Sequence, residues 1–268
     1  QEEGRIEQVV DVVFGGIHVP APDEILGSLA AVWRDHHGEH DDVQLQSVEA
    51  LTGGKLFEGY GLSEAPTATH CNPLKGVNKT GSVGMPLPDV DCKIISLDDG
   101  ETEMSVGEIG EIVVSGPQVM KGYHNMPTET ANTLRKLKDG KTWLFTGDIA
   151  RMDEDGYFHF FDRKRDLIKF KGYSVFARHV EEVLYKHPQI KAAGVVGVPD
   201  PKVGNIIKAY VVLESEARGK ISEEDVINFC TENLAHYKVP KIIEFRGELP
   251  KTDVGKVSRR ELREEGEA

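Results

Sequence analysis

The chain has 268 residues, of which 39% are hydrophobic, and a formal net charge of −13 at pH 7. This length is enough to bury a hydrophobic core and to form one large or two modest domains, and we expect two. The acidic balance argues against a nucleic-acid partner, because no basic stripe is available to displace counterions along a phosphate backbone.

The spacing of the cysteines and the amino-terminal residues indicate the cellular compartment of the protein. Cys71, Cys92 and Cys230 form no C-x-x-C pair, which argues against a disulfide framework or a zinc site and favours the reducing cytoplasm. No apolar run approaches the roughly 18 residues that cross a bilayer, and the first residues lack the features of a secretion signal. Because the chain begins with Gln1, we expect a fragment of a longer protein.

The amino-terminal region predicts a strand that ends at a glycine pair. Residues 5–13 are apolar and β-branched and lead to Gly15 and Gly16, where the backbone leaves space for a flat ligand. A His-rich run at residues 34–42 contains several acids and a glycine. We interpret it as a solvated loop rather than a metal site.

The middle of the chain is predicted to be rich in strands. From residue 55 to 115, short β-branched segments alternate with glycine and proline, a pattern typical of strands joined by tight turns. A helix is predicted over residues 127–137, since Pro127 suits a first helical turn. Strands are predicted over 141–149 and 156–161, joined by an acidic turn.

Beyond Arg163 the pattern changes to strands alternating with helices, which predicts a second unit. We place the boundary in the charged cluster Asp162–Asp166, and so predict domains over residues 1–163 and 164–268. The fold class is α/β (α+β), with a β-rich part followed by a small α/β lid. Within the lid we predict a hairpin at 167–175, a helix at 177–187, strands at 192–198 and 207–213, and a helix capped by Ser222 and Asp225 that buries Cys230.

Two short motifs carry groups suited to a nucleotide. Gly59 and Gly61 flank Tyr60, and Ser63 and Glu64 offer a hydroxyl and a carboxylate suited to phosphate and a hard divalent metal. The alternative interpretation is a β-turn with an exposed acid. Thr146-Gly147-Asp148 closes an apolar strand with a carboxylate able to accept two hydrogen bonds from a ribose diol, and its alternative is a simple strand-ending turn.

Two basic segments lie in the second unit. Lys256 follows a turn bracketed by Pro250 and Gly255, and Ser258 is a plausible N-cap for a helix over residues 259–264. An ammonium on this loop can neutralise a carboxylate or a phosphate, although an exposed lysine is most often only solvated. The second segment contains the 162–169 cluster and Lys171-Gly172-Tyr173, and taken alone it is a solvated charged turn.

In this order and spacing the motifs resemble the adenylate-forming superfamily of acyl-CoA synthetases, adenylation domains and beetle luciferases. The resemblance covers about residue 51 to the end, with Ser63 in place of the family's usual Thr. Further matching landmarks are Gly81-Ser82-Val83-Gly84, Gly107-Glu108-Ile109-Gly110-Glu111 and Pro250-Lys251-Thr252 followed by Gly255-Lys256.

The resemblance implies a nucleotide site. Gly15 and Gly16 would line the adenine site, and Tyr60 would pack on adenine, with Gly61 and Ser63 in the same motif. Glu64 would support Mg²⁺. The ribose would be held by Asp148 and Arg163.

The resemblance also implies a reaction in two steps. Lys256 would bridge the carboxylate substrate and the α-phosphate of ATP, so that an acyl-adenylate and pyrophosphate form. The small domain would then rotate at the hinge residue Arg165 to admit the thiol of CoA. Lys169 would act in thioester formation on a face that also carries Lys171, Gly172 and Tyr173, different from the face of Lys256.

The sequence departs from the family in its first part. The Ser/Thr/Gly-rich phosphate loop is absent, and Thr52-Gly53-Gly54-Lys55 lacks the earlier glycine and the following Ser or Thr. The segment near residues 26–48 is longer and richer in His than the family connection. We therefore expect the carboxy-terminal part of a larger synthetase, inactive without its upstream half.

The motif around Tyr60 and the pair Asn72-Pro73 look most like fatty-acyl or aryl-CoA ligases, and we favour a medium- or long-chain fatty acid. The alternatives are an aryl-CoA ligase, an adenylation domain that loads a carrier protein, and a noncatalytic nucleotide-binding module. The remaining alternative is an acidic globular protein in which the motifs occur by chance.

Overall fold

The computed structural model describes residues 57–252 and 255–266. The chain divides into two compact units, Gln1–Phe160 and Phe161–Ala268. The described residues form the mixed α/β, sheet-rich fold expected from the sequence, which confirms the fold class. The predicted strand at residues 5–13, the pair Gly15 and Gly16, and the segment 26–48 lie outside the described residues.

The first unit contains a small antiparallel sheet that begins at the tyrosine motif. Its order is β1-β2-β3, and Tyr60 pairs with His70. A register irregularity between Tyr60 and Leu62 marks the part of the hairpin next to the turn at Ser63 and Glu64. The strands are β1 (Gly59–Leu62), β2 (Ala65–Cys71) and β3 (Met85–Pro86).

A second sheet has the order β4-β5-β7-β6, with β8 also paired to β7. Its strands are β4 (Asp91–Ile95), β5 (Gly110–Ser115), β6 (Leu134–Lys136), β7 (Thr142–Met152) and β8 (Phe158–Arg163). The central strand β5 is buried over residues 110–114. Alternate side chains enter two clusters, with Ile112 and Val114 in one and Val113 in the other, as the period of two along a strand requires.

The helix predicted over residues 127–137 is wrong at its end. Helix α1 (Pro127–Thr133) has its proline in the first turn as expected, but the chain then becomes strand β6. Leu134 pairs with Leu144 of β7. Pairing with a strand that already belongs to the sheet therefore overrides the local helical pattern.

After β8 ends at Arg163, the second unit continues with a 3-10 turn, Lys164–Asp166, and then with the predicted alternation of strands and helices. Its five-stranded sheet has the order β10-β9-β12-β11, and β13 pairs in parallel with β12. The elements are β9 (Leu167–Phe170), β10 (Tyr173–Phe176), α2 (Ala177–Tyr185), β11 (Ile190–Asp200), β12 (Gly204–Leu213), α3 (Glu223–Asn233), β13 (Ile242–Phe245) and α4 (Arg259–Gly266).

Alternation along β12 divides the apolar side chains of this unit into two clusters. Ile207, Ala209 and Val211 share a cluster with buried residues of α2 and α3, including Cys230. Tyr210 and Val212 belong to the other cluster, which includes Leu249 and Leu262. Burial raises the pKa of the Cys230 thiol to about 11. The prediction that Cys230 is a core residue is therefore confirmed.

Among the described helices, none is long and apolar enough to cross a membrane.

The amino end of α3 provides a local test of the fold. Ser222 accepts a hydrogen bond from the backbone N–H of Asp225 at 3.2 Å, and the Asp225 carboxylate accepts the N–H of Ser222 at 2.8 Å. Ser222→Ala is expected to lower the free energy of unfolding by about 1 kcal/mol, because it removes the side-chain cap. Urea unfolding monitored by circular dichroism measures the change.

Thr231→Ala is the matched control for Ser222→Ala. The Thr231 hydroxyl donates to the carbonyl of Ile227 within the same helix at 2.8 Å, a bond that contributes little to helix stability. This variant is expected to be nearly neutral or slightly stabilising, since Ala has the higher helix propensity. An equal loss in both variants would contradict the capping role of Ser222.

Candidate functional site

Tyr60 and Asp148, two of the predicted site residues, meet inside the first unit. The Tyr60 hydroxyl donates to Oδ2 of Asp148 at 2.7 Å, and the two residues are only 9% and 8% exposed. Burial, together with the adjacent Asp148 carboxylate, raises the pKa of Tyr60 well above its usual value. The phenol therefore keeps its proton and acts as a donor to the carboxylate throughout the neutral range.

The sequence analysis placed Asp148 at the close of a strand. In the structure β7 continues beyond it to Met152. Thr146-Gly147-Asp148 lies within β7, where the pairing with β5 becomes irregular between Glu111 and Val113. Gly147 has a φ of +73°, in the left-handed region that favours glycine. The Thr146 hydroxyl donates to the carbonyl of Ile112 at 2.8 Å and accepts the N–H of Asp148 at 3.1 Å. The irregularity is a bulge that redirects the Asp148 side chain.

Glu111 is a residue whose side-chain role the sequence analysis missed. It is 3% exposed, and its Oε1 accepts the backbone N–H of Gly147 at 3.0 Å. The buried carboxylate thus holds the residue immediately before Asp148. A charged residue in the otherwise apolar strand Gly110–Ser115 was the signal that could have identified it, because strands buried on both faces seldom carry an acid without a partner.

Gly61, Ser63 and Glu64 lie around the β1–β2 turn. A Cβ on Gly61 would lie 2.1 Å from the carbonyl oxygen of Thr67, so the hairpin itself requires glycine there. Ser63 is exposed. Glu64 accepts the hydroxyl of Tyr123 at 2.7 Å, and this bond raises the pKa of Tyr123. No group of three or more metal-ligating side chains occurs within residues 57–252 and 255–266.

His70 forms the buried support of Tyr60. Its ring makes edge contacts with the rings of Tyr60 and Phe158, at centroid distances of 5.7 and 4.8 Å. Nδ1 lies 2.9 Å from the Thr69 hydroxyl, whereas Nε2 is buried and has no hydrogen-bond partner in the described part of the chain. Burial lowers the pKa of His70 to about 3. The ring is therefore a neutral packing element, which the sequence analysis also missed.

Lys256 and Arg163 both belong to the second unit, and their charges interact. The turn before Lys256 is closed by hydrogen bonds between Thr252 and Gly255 and between Thr252 and Lys256, and Gly255 has a φ of +81°. The predicted glycine turn is thus confirmed. Partial burial of the ammonium lowers the pKa of Lys256, and the positive charges of Arg163 and Arg178 lower it further. Lys256 is an exposed residue whose charge interacts with those of Arg163 and Arg178.

The predicted thioester-forming residues lie on the β9–β10 hairpin. Lys169 is exposed and donates to the Ser174 hydroxyl at 2.8 Å. Lys171 and Gly172, with φ of +49° and +82°, form the two-residue turn, a geometry that by itself favours glycine at the second position. Tyr173 is 55% exposed and stacks on Tyr237 at 4.6 Å. Arg165 lies in the 3-10 turn Lys164–Asp166.

Two family models match the chain. The one described as AMP-binding enzyme matches residues 37–124, and the one described as AMP-binding enzyme C-terminal domain matches residues 179–256. The first range contains Tyr60 and Glu64, and the second ends at Lys256. Asp148 and Arg163 lie between the two ranges.

A curated relative extends the match across most of the chain. The Long-chain-fatty-acid--CoA ligase of Bacillus subtilis (strain 168) is 53% identical over 220 residues, which is 82% of this chain and 38% of the relative. The chain therefore spans less than two fifths of that relative's length.

Two solved structures share the fold. ATP-bound MatB from Rhodopseudomonas palustris aligns with a TM-score of 0.73 at 34% identity, over 83% of this chain and 43% of that one. The O-succinylbenzoate Coenzyme A Synthetase from Bacillus subtilis, in complex with AMP, aligns with a TM-score of 0.70 at 30% identity, over 89% and 49%.

The neutral state of His70 predicts a specific acid sensitivity. Its folded-state pKa of about 3 lies below the ordinary value of 6.5, so the stability is fully present above pH 6.5 and is lost as the pH falls towards 3. Between pH 7 and pH 5 this residue alone is expected to lower the free energy of unfolding by about 2 kcal/mol. Urea unfolding at both pH values measures the loss.

His70→Phe keeps an aromatic ring and removes the titrating group. It is expected to reduce the loss between pH 7 and pH 5 by about 2 kcal/mol relative to wild type. The exposed-histidine control His124→Gln should retain the wild-type slope. An unchanged slope in His70→Phe would show that His70 is not held neutral in the fold.

Proposed function

Because the chain belongs to the AMP-binding, adenylate-forming enzymes, we propose that it is part of an acyl-CoA synthetase. In the proposed reaction a carboxylic acid and ATP form an acyl-adenylate and pyrophosphate, and the thiol of CoA then displaces AMP to give a thioester. The observation that carries the proposal is the buried Asp148 carboxylate, held by Tyr60 in a bulge of β7. The names of the relatives, which include a fatty-acid ligase and a CoA synthetase, support it.

The nucleotide is proposed to bind at the Tyr60–Asp148 pair. A carboxylate offers about four lone-pair positions, so the bond from Tyr60 is compatible with further bonds from a ribose diol. Asp148 would accept those bonds and Arg163 would act with it. Tyr60, fixed by Asp148 and backed by His70, would pack on adenine. Gly15 and Gly16 would line the adenine site.

Lys256 is proposed to act in adenylation. A carboxylate oxygen must attack the α-phosphorus of ATP, and both groups are negatively charged. The attack forms the O–P bond of the acyl-adenylate and breaks the bond to pyrophosphate. An ammonium between the two groups stabilises the charge that accumulates in the transition state. The short, closed turn at Gly255 fixes the backbone from which this side chain reaches.

Glu64 is the proposed ligand of Mg²⁺. Mg²⁺ is commonly held by one or two carboxylates together with substrate phosphates. A single carboxylate fits that mode, and Glu64 is oriented by Tyr123. Mg²⁺ would enter with the nucleotide and neutralise phosphate charge.

The thioester step is proposed to use the β9–β10 hairpin. Lys169 and Lys171 would supply positive charge, and Gly172 and Tyr173 would lie beside the pantetheine arm of CoA. Arg165 would be the hinge at which the second unit changes orientation between the two steps. The second unit would then be the lid domain, which we place at residues 164–268, after a nucleotide-binding domain that ends at residue 163.

A medium- or long-chain fatty acid is the proposed substrate. The fatty-acid ligase is 53% identical to this chain, against 30% for the O-succinylbenzoate synthetase, so an aryl acid is the second candidate. The enzyme is proposed to act in the cytoplasm. The chain without upstream sequence is proposed to be inactive, because it spans 38% of the fatty-acid ligase.

Carboxylate-dependent exchange between ATP and pyrophosphate tests the adenylation role. The protein is assayed alone and with its native upstream sequence, in the presence of Mg²⁺ and a panel of fatty and aryl acids. Lys256→Ala in the extended protein is expected to lower the exchange rate by about 10²- to 10³-fold, since it removes one charge that stabilises the transition state. The acid that gives the fastest exchange identifies the substrate class.

Lys251→Ala is the matched control, because Lys251 is an exposed lysine on the same loop. It is expected to leave exchange within about twofold of wild type, as surface charges usually contribute little. If the extended protein folds and binds ATP but exchanges with no acid, the synthetase proposal fails. A noncatalytic nucleotide-binding module would then be the better account.

A further inference from the structure

A network of five charged residues, two of them buried and three partly buried, surrounds the proposed hinge. Arg259 donates to Oε1 of Glu181 at 2.9 Å, to Oδ1 of Asp162 at 2.8 Å and to Oδ2 of Asp166 at 3.4 Å. Arg263, one turn later on α4, donates to Oδ1 of Asp166 at 2.6 Å. All five residues belong to the second unit.

The carboxylates of this network are withdrawn from water. The side chains of Asp162, Glu181 and Asp166 are 2%, 8% and 10% exposed. Burying a carboxylate is costly unless cations and hydrogen-bond donors compensate it. Because Arg259 touches all three acids, it is the main compensating charge, and loss of any one contact leaves a buried group short of a partner.

Asp162 also caps helix α2 from outside the helix. Phe176, at the N-cap position, offers no side-chain cap. Instead, Oδ2 of Asp162 accepts the backbone N–H of Arg178 at 2.9 Å. A carboxylate at this position satisfies a free N–H of the first turn and opposes the positive end of the helix dipole. Asp162 is thus bonded to both α2 and α4.

Along the chain, the proposed hinge separates Asp162 from the other four residues of the network. Asp162 precedes the proposed hinge residue Arg165, whereas Asp166, Glu181, Arg259 and Arg263 all follow it. A change in the backbone dihedrals at Arg165 therefore moves Asp162 relative to Arg259 and Arg178. The contacts among the four later residues can persist through the same change.

We infer that Asp162 is a latch that holds the hinge in the conformation described, through its bonds to Arg259 and to the amino end of α2. This inference rests on the proposed function for the hinge role of Arg165. Asp162 is a positioning residue, because it acts through Arg259 and α2 rather than on substrate. Opening the latch must expose a buried carboxylate, so the alternative conformation is populated only when other contacts compensate for that loss.

The latch favours the first step of the proposed reaction. Arg259 is the third residue after Lys256, so its anchorage fixes the end of the Lys256 loop. The charge of Arg163 contributes to the lowered pKa of Lys256, and these two residues are proposed to act together on ATP. The latched conformation is therefore the one that serves adenylation, and the latch must open before CoA reacts.

Tryptic cleavage of the hinge tests the latch without any catalysis. Arg163, Lys164 and Arg165 are trypsin sites held in or next to the 3-10 turn. Asp162→Asn, which keeps the side-chain shape and removes the charge, is expected to raise cleavage after Lys164 and Arg165 by about tenfold, because proteolysis follows the open population. Mass spectrometry gives the rates, each divided by the rate for a peptide of residues 158–170 with the same substitution.

Arg263→Gln is the control for the tryptic test, because it removes a contact of the same network that does not cross the hinge. It is expected to leave the cleavage ratio within about twofold of wild type, even if it lowers the unfolding midpoint. Asp162→Ala serves as a second variant in which both bonds are lost. No rise in cleavage in either Asp162 variant, or an equal rise in Arg263→Gln, would overturn the latch.

Rates measured in the protein with its native upstream sequence relate the latch to the two steps of the proposed reaction. In Asp162→Asn, carboxylate-dependent exchange is expected to fall about tenfold relative to thioester formation from supplied acyl-adenylate and CoA, because the adenylation conformation is less populated. Arg263→Gln should change the two rates equally. Equal loss of both rates in Asp162→Asn would assign the residue a purely structural role. Faster hinge cleavage without any exchange activity in wild type would leave the latch in place and refute the proposed function.

Discussion

The hydrogen bond from Tyr60 to Asp148 is the interaction on which the proposed nucleotide site depends. It joins β1 of the small sheet to β7 of the larger one, so the two sheets of the first unit meet at a charged group. A buried carboxylate is stable there only if donors reach it. Tyr60 supplies one donor, and the bulge maintained by Glu111 and Gly147 determines where the carboxylate lies. The site is therefore a consequence of how the two sheets are held together.

In the second unit the comparable constraint comes from positive rather than negative charge. Partial burial lowers the pKa of Lys256, and the positive charges of Arg163 and Arg178 lower it further. On the other side of Arg163, Asp162 is bonded to Arg259 and to the amino end of α2. Charges of both signs are thus concentrated around the proposed hinge segment. If Arg165 is the hinge, as proposed, a small backbone change there has a large electrostatic consequence, because each buried charge has few alternative partners.

The elements governed by local pattern could be predicted from the sequence. The acidic turn between β7 and β8, the β9–β10 hairpin and the cap at Ser222 each follow from residues adjacent in the chain. The end of α1 could not be predicted, because Leu134 leaves the helix to pair with Leu144 of β7, and this pairing is not apparent from the residues next to Leu134. The strand predicted over residues 141–149 contains Asp148, but the bulge at this position and the continuation of β7 to Met152 were missed. Its bulge is defined by the pairing of β5 with β7 rather than by the three residues of its motif.

The supporting residues of the site were the hardest to identify. Tyr60, Glu64, Asp148 and Lys256 stood out because their motifs resemble those of a known family. Glu111 lies in a landmark that resembles the family, but its side-chain role appears only when β7 lies beside β5. The role of His70 appears only when its ring makes an edge contact with Phe158. In this protein the sequence alone does not reveal the buried polar groups that support the residues expected to contact the ligand.

Asp148 is proposed to recognise the ribose of an adenine nucleotide. Equilibrium binding of AMP and of 2′,3′-dideoxy-AMP should be compared for wild type and Asp148→Asn, using the chain alone and with its native upstream sequence. If Asp148 accepts the ribose hydroxyls, wild type should prefer AMP by about tenfold or more, and Asp148→Asn should lose most of that preference. Equal discrimination by the two proteins would show that Asp148 does not contact the ribose and would contradict the account.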